Sequence, residues 1–517
     1  MTQAMMSKPR AAILVFLLTF LIYSPLLSNQ FVGDDNIIFG RNTFYASWKN
    51  IPRLFEKGYI SNVREINFNS KSLYDFGTGS VSYRPVSNLS YFIDHYIFGS
   101  KPFGSHLINI LIHCTNALLV YGIVELIFAS PLFAVFASLL FSLHPIQSEA
   151  VAVMSYRADI LAAMFALSSF YFWIRFAQSG YVKRGYYLGS LSMCVLALFS
   201  KESAFTLPLI VLLYDKFLAA PKQGVKPQGI YYLGFILVLA LHAYLYFFVF
   251  PNVTLAFHWL GGSFTHHCLI MGFIWFNYLI NILLPWTVKV IPGLYCPPAP
   301  ALISLTTAVM LAFMVLLLTG LVYLWRHSKE AAFFLLWYLI FCLPVSNLIP
   351  IANPMASRFM YLPSIGILIA AAYLFDKAFK NSVLKAYCKD ISGLFYGFLI
   401  IICVTKTMFL NTDWKDDFYV GWAWVRDYPL YGRGYALMGK EYLEAGELWK
   451  AQEYLEKSVL LGDQRPSEVL YLAECYMGLG KSQAAGALLD QIILRYPDYA
   501  DALKLKALNE RSLHHQL

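Results

Sequence analysis

Apolar runs long enough to cross a bilayer recur from about residue 11 to residue 410, and this limits the fold more than any other feature. In lipid, each backbone N–H and C=O must be satisfied within the protein, so such runs fold as helices packed on one another. The composition agrees, with 58% hydrophobic, 17% aromatic and 13% charged residues and a mean hydropathy of +0.56. A soluble globular chain carries about 25% charge. An all-α polytopic membrane protein is therefore predicted. The net charge of +9 falls largely in short links between apolar runs, as in cytoplasmic loops, so no nucleic-acid partner is implied. The eight cysteines are scattered without paired spacing and read as neither a disulfide framework nor a zinc site.

Lys8 and Arg10 precede the first run, about 11–27, which lacks a small-residue cleavage site and reads as a retained anchor with a cytoplasmic amino terminus. A large loop over 29–104 follows on the other face, and its amphipathic stretch Trp48–Phe55 suits the interface. Spans are predicted near 105–127, 131–146, 158–178, 186–200, 203–219 and 229–250, then 301–325, 330–343, 360–376 and 391–410. Lys183, Arg184, Lys216, Lys222 and Lys226 fall at alternate links, and Lys377, Lys380, Lys385 and Lys389 in the last one. The run near 268–285 reads as re-entrant or interfacial, since a crossing there would put Arg326 to Lys329 outside. About eleven crossings result, which places everything after Asn411 on the face of Asp34 and Asp35.

That count gathers the polar residues of the links at one face. Asp34 and Asp35 lie in Phe31-Val-Gly-Asp-Asp-Asn36, a stretch that reads equally as a helix-capping turn and as a functional carboxylate pair at the mouth of the first span. His144, Glu149, Arg157 and Asp159 follow the third span, Lys201 and Glu202 the fifth, and Asn347, Asn353 and Arg358 precede the tenth. One water-filled cavity bordered by all of them is the expectation. Bland roles are available too: Glu149 and Asp159 as partners of Arg157, Lys201 with Glu202 as a local pair, His144-Pro145 as a helix end. His258, His266 and His267 have no carboxylate near in sequence and do not read as a metal site.

After a linker, 411–431, the composition becomes that of a soluble helical unit. Gly439, Tyr442, Gly446, Ala451 and Leu455 are echoed by Ala473, Tyr476, Gly480, Ala485 and Leu489 at a 34-residue offset, the tetratricopeptide period. Repeats are predicted at 432–465 and 466–499, with a capping helix at 500–513, forming a short α-solenoid suited to binding a peptide or partner protein.

The segments Ser82-Tyr-Arg84-Pro85-Val-Ser-Asn88, Gly104-Ser-His106-Leu-Ile-Asn109, Leu143-His144-Pro145-Ile-Gln-Ser-Glu149, Arg157-Ala-Asp159, Lys201-Glu202 and Ser357-Arg358-Phe-Met-Tyr361-Leu-Pro363 resemble those of the TMTC-type O-mannosyltransferases and their bacterial relatives. The resemblance covers essentially the whole chain, with 1–410 as the transmembrane domain. It implies the GT-C glycosyltransferase fold and transfer of a sugar, mannose or another hexose, from a polyprenyl- or dolichyl-phosphate carrier to a hydroxyl of a protein or glycan acceptor, with inversion. It further implies that Asp35 or Asp34 is the general base, with Asp35 slightly favoured, because a hydroxyl attacking an anomeric carbon must lose its proton. Arg358, Lys201 and Arg157 are the candidates for the departing phosphate. Arg84, His144, Glu149, Asp159, Glu202 and Tyr361 are candidates for acceptor or sugar binding and support. A divalent ion, Mg or Mn, near Asp34 is a further expectation. The site and repeats would face the periplasm in a bacterial inner membrane, or the lumen in an endoplasmic-reticulum membrane. A membrane-anchored repeat scaffold without catalysis is the alternative.

Overall fold

The computed structural model describes residues 7–40, 44–55, 83–219, 228–249, 259–293, 295–301, 304–348, 351, 353–380, 388–462 and 465–516. Lys222, Lys226, His258 and Lys385 lie outside the described residues, as does most of the first long loop. Among the described residues there are helices and turns but no strand.

The membrane part consists of α1 (Lys8–Tyr23), α2 (Pro85–Phe98), α3 (Pro102–Phe128), α4 (Pro131–Ser142), α5 (Ser148–Ala152), α6 (Arg157–Gln178), α7 (Arg184–Ser200), α8 (Leu207–Phe217), α9 (Gly229–Tyr244), α10 (Phe264–Leu283), α11 (Leu305–His327), α12 (Lys329–Cys342), α13 (Pro363–Lys380) and α14 (Cys388–Asp413). Local chemistry sets many of the starts. Proline stands in the first turn of α3 and α4, where its missing N–H costs nothing, and Ser263 and Ser304 cap α10 and α11 by accepting from the N–H groups of His266 and Thr307. α3 and α6 bury most of their surface in the bundle, whereas α9 and α11 turn nearly all of theirs outward, where only lipid suits it.

Among the described residues, seven helical segments are long and apolar enough to cross a membrane, or eight if Pro131–Ser142 and Pro145–Ala152, bent by 49° to one another, are one broken span. The expected eleven is not reached by this measure. α7, α8 and α12 have 17, 11 and 14 residues, and each gives way at one end to irregular backbone or a 3₁₀ turn carrying polar residues. Such backbone is tolerated at depth only where protein surrounds it.

The carboxyl-terminal ends of α1 and α14 meet: Asn29 donates to the carbonyls of Asn411 at 3.3 Å and Trp414 at 3.0 Å, and the Gln30 N–H to that of Lys415 at 2.8 Å. The chain beyond α14 thus stands at the end of the bundle that carries Asp34 and Asp35. At the opposite end, Ile127, Gln178, Phe217 and Ser328 surround a cleft. α10 meets the length requirement for a span, yet both of its ends are tied to the aspartate end. The His267 ring donates to the Asn347 carbonyl at 3.1 Å, and His144 donates to the Ile282 carbonyl at 3.0 Å. α10 lies along one end of the bundle.

Residues 411–431, read from sequence as a linker, are mostly helical: α14 runs to Asp413 and α15 covers Asp417–Asp427. The repeat helices follow as α16 (Gly432–Glu444), α17 (Leu448–Leu460), α18 (Pro466–Gly478), α19 (Ser482–Arg495) and α20 (Ala500–Gln516). Small residues let them close up, and a Cβ on Gly439 would press on Leu455 at 2.6 Å.

In the membrane part, Gly366 of α13 lets its helix lie directly against the backbone of α12. A Cβ there would collide with the Phe334 carbonyl and stand 2.8 Å from the Tyr338 nitrogen, both backbone atoms of α12 that cannot rotate away. Gly366→Ala is therefore expected to lower stability by about 1–3 kcal/mol or more, read as a drop in Tm in detergent. Gly320→Ala, where a Cβ meets nothing within 4 Å, should leave Tm unchanged or raise it.

Candidate functional site

A charge buried at the end of an apolar bundle is costly unless it is paired, and the buried side chains here are arranged accordingly. Arg358 lies in the 3₁₀ turn Ser357–Met360 ahead of α13. Its backbone N–H donates to Glu149 at 3.2 Å, its guanidinium pairs with the same carboxylate, and it stacks on the Tyr156 ring at 3.8 Å. Lys201, at the end of α7, donates to Asp159 at 2.5 Å and lies over the Phe359 ring at 5.4 Å. Burial lowers the Lys201 ammonium and Asp159 opposes this. Arg84 grips Glu202 with two parallel bonds of 3.0 and 2.6 Å. Burial pushes the Glu202 carboxyl up, but the Arg84 charge and hydrogen bonds, with Lys201, hold it down at about 2. Arg358, Arg84, Asp159 and Glu202 all lie within electrostatic reach of Lys201, so the polar residues of several links form one group.

The two aspartates occupy different places. Asp35 is fully buried, and its oxygens accept the N–H groups of Met154 at 2.8 Å and Ser155 at 2.7 Å. It ties the first loop to the turn Met154–Tyr156, ahead of α6. Asp34 is half-buried, pairs with none of the described residues, and lies within electrostatic reach of Tyr156, the ring on which Arg358 stacks. The slight sequence preference for Asp35 as the reacting carboxylate is thus at odds with the geometry: its oxygens are already committed to backbone donors. Adjacent residues in this turn point apart, and Gly33, at φ +53°, makes the turn.

Several candidates are placed away from the open site. Arg157 is fully buried and donates to Asn109 at 2.6 Å, Ser90 at 3.2 Å, Asp94 at 2.6 Å and the Ser105 carbonyl at 3.1 Å. A guanidinium so engaged has no fork left for a phosphate, so Arg157 is structural. Its partner is Asp94, while Glu149 serves Arg358, Asp159 serves Lys201 and Glu202 serves Arg84. Buried His144 accepts the Ile146 N–H at 3.2 Å and caps the turn Pro145–Gln147, as its bland reading had it. Tyr361 lies in the core, sharing its hydroxyl with His113 at 2.6 Å and Asn116 at 3.0 Å, so neither it nor His144 lines the site.

The carboxylates that the sequence grouped with Asp34 are already engaged. Asp35 is committed to backbone N–H groups, and Glu149, Asp159 and Glu202 each hold a cation. Among the described residues no three of His, Cys, Asp and Glu converge.

Three contributors carried no motif in the sequence. Asp94, the one acid in the apolar helix α2, was legible in principle as a group needing a partner. Tyr156 was not. Asp417, at the start of α15, accepts the Gly33 N–H at 2.7 Å and the Asn36 side chain at 3.1 Å, fastening the aspartate loop to the base of the repeat unit.

Residues 85–247 match the family described as dolichyl-phosphate-mannose-protein mannosyltransferase, and 442–508 match the tetratricopeptide repeat. The human protein O-mannosyl-transferase TMTC1 is 33% identical over 29% of this chain and 18% of its own length. Mouse TMTC4, of the same description, is 23% identical over 86% of this chain and 65% of its own. The chain thus spans less than two thirds of these curated relatives. The archaeal oligosaccharyltransferase AglB from Archaeoglobus fulgidus, solved with an inhibitory peptide and a dolichol-phosphate, aligns over 81% of this chain and 58% of its own, with 15% identity and a TM-score of 0.41.

Burial pushes Asp35 up to about 7, against the pull of the two backbone N–H groups. A carboxyl raised from 3.8 stabilises the fold most below that value and loses the contribution as pH climbs through about 7. The Tm of the wild type should therefore fall relative to that of Asp35→Asn over this interval, measured by thermal unfolding in detergent.

Proposed function

From a chain related by sequence to the TMTC-type protein O-mannosyltransferases, we propose a membrane glycosyltransferase that moves a hexose from a polyprenyl-phosphate carrier to an acceptor hydroxyl. The observation that carries this reading is an unpartnered, half-buried carboxylate, Asp34, within electrostatic reach of Tyr156, the ring on which Arg358 stacks, with Lys201 within electrostatic reach of Arg358.

In this reading the acceptor oxygen attacks the anomeric carbon while Asp34 takes its proton. The bond from that carbon to the phosphate oxygen breaks, and polyprenyl phosphate leaves as an anion toward Arg358, with Lys201 beside it. Attack from the face opposite the leaving group inverts the anomeric centre. Asp35 is a positioning residue that sets the loop against Met154 and Ser155, and Asp417 sets it from the other side. Glu149 and Tyr156 hold the Arg358 fork in place. No step passes through a metal. The repeats stand beside the site and would present a protein or glycan acceptor to it, in the periplasm or the endoplasmic-reticulum lumen.

The test is release of polyprenyl phosphate from synthetic lipid-linked sugars by the purified full chain. Asp34→Asn should cut kcat by about 10²–10⁴ with Tm unchanged. Arg358→Gln should cut kcat together with folding stability, since it strands Glu149. Asp417→Ala should lower kcat more than it raises KM for the donor. Transfer should continue in the presence of a chelator. Retention of full activity by Asp34→Asn would overturn the assignment of the base, and donors left intact by the wild type would favour the scaffold.

A further inference from the structure

The end of the bundle away from Asp34 holds a cleft of about 640 Å³, where α3, α6 and α8 end and α11 passes into α12. Its wall carries three cations, Arg326, Lys329 and Lys377. Arg326 and Lys329 are exposed, Lys377 is half-buried, and the Lys377 ammonium donates to the His327 carbonyl at 3.2 Å. None of the three forms an ion pair with a described residue, whereas Arg84, Arg157, Lys201 and Arg358 at the other end each have a carboxylate. The one acid in the wall, Glu330, accepts the Tyr373 hydroxyl at 3.2 Å. The cleft is therefore positively charged and carries unspent donors.

One flank of the wall is apolar and aromatic, with Leu126, Tyr214, Phe217 and Leu218, while Gln178, His327 and Ser328 add polar groups elsewhere. Phe217 meets Trp325 edge-on at 4.5 Å, Trp325 is 43% exposed, and Lys216 lies over the indole at 5.1 Å. An outward tryptophan beside lysine marks headgroup depth in a bilayer. A basic hollow opening between helices at that depth matches a lipid with a phosphate in its headgroup and two acyl chains lying along the apolar flank.

We propose that this cleft is a binding site for an anionic phospholipid, its headgroup phosphate held by Arg326, Lys329 and Lys377. A soluble phosphate would use the same cations but would leave the aromatic flank without an occupant.

The experiment loads the full-length protein with phosphatidylglycerol in mixed micelles with phosphatidylcholine, dilutes into zwitterionic detergent and counts retained phosphatidylglycerol by native mass spectrometry. The wild type should retain it over phosphatidylcholine. The triple variant Arg326→Gln, Lys329→Gln, Lys377→Gln should bind it about a hundredfold more weakly with unchanged Tm. The charge-keeping variant Lys329→Arg, Lys377→Arg should bind as the wild type does. The control Lys183→Gln, Arg184→Gln, which neutralises exposed cations at the same end, should also retain the lipid. Equal loss in this control would show general surface attraction and overturn the proposal, as would undiminished retention by the triple variant. Release of the retained lipid by excess inorganic phosphate, with the same amount of sodium chloride releasing none, would assign the cleft to a soluble anion instead.

Discussion

A guanidinium or ammonium buried within the end of a lipid-embedded bundle has to find its counter-charge within the protein, and the arrangement of this end follows from that demand. Arg157 with Asp94, Arg358 with Glu149, Lys201 with Asp159 and Arg84 with Glu202 join α2, α5, α6, the end of α7 with the turn that follows it, and the turn before α13. Removing one partner of such a pair strands the other at a cost of about 3–5 kcal/mol, so the pairs specify which turn meets which. Asp34 stands outside this scheme, within electrostatic reach of Tyr156 but paired with none of the described residues. In the function proposed above, this left-over carboxylate is the one that takes the acceptor's proton.

The same economy explains the short helices. α7 and α12 stop before they would cross a bilayer because the chain must turn to deliver Lys201, Glu202 and Asn347 to the site end. The exposed polar backbone is tolerated because neighbouring helices enclose it. A count of apolar runs and a measure of helix length therefore disagree, and α10 shows the reverse case, long enough to cross yet tied at both ends to one side.

The repeat unit is not merely appended. α15 fills most of the presumed linker, Asp417 reaches back to Gly33 and Asn36, and the Tyr431 hydroxyl donates to the Gly293 carbonyl at 2.7 Å. The loop bearing Asp34 is held by Asp35 to the α6 turn and by Asp417 to the repeats.

What the sequence determined by itself is what local chemistry and period can encode. Apolar runs required helices in lipid, the 34-residue echo gave the paired repeat helices, and the basic links marked one end of the bundle. The motifs around Arg84, Asp159, Lys201, Glu202 and Arg358 named residues that do gather at one place. Tertiary structure alone decided how they pair, because an ion pair depends on which turns face each other across the bundle, and sequence separation says nothing of that. It withdrew Arg157 into a cage with Asn109 and Asp94, sent His144 and Tyr361 into the core, and separated Asp35 from Asp34. Two neighbouring carboxylates of the same chemistry took different roles because one points into the backbone of another segment and the other does not.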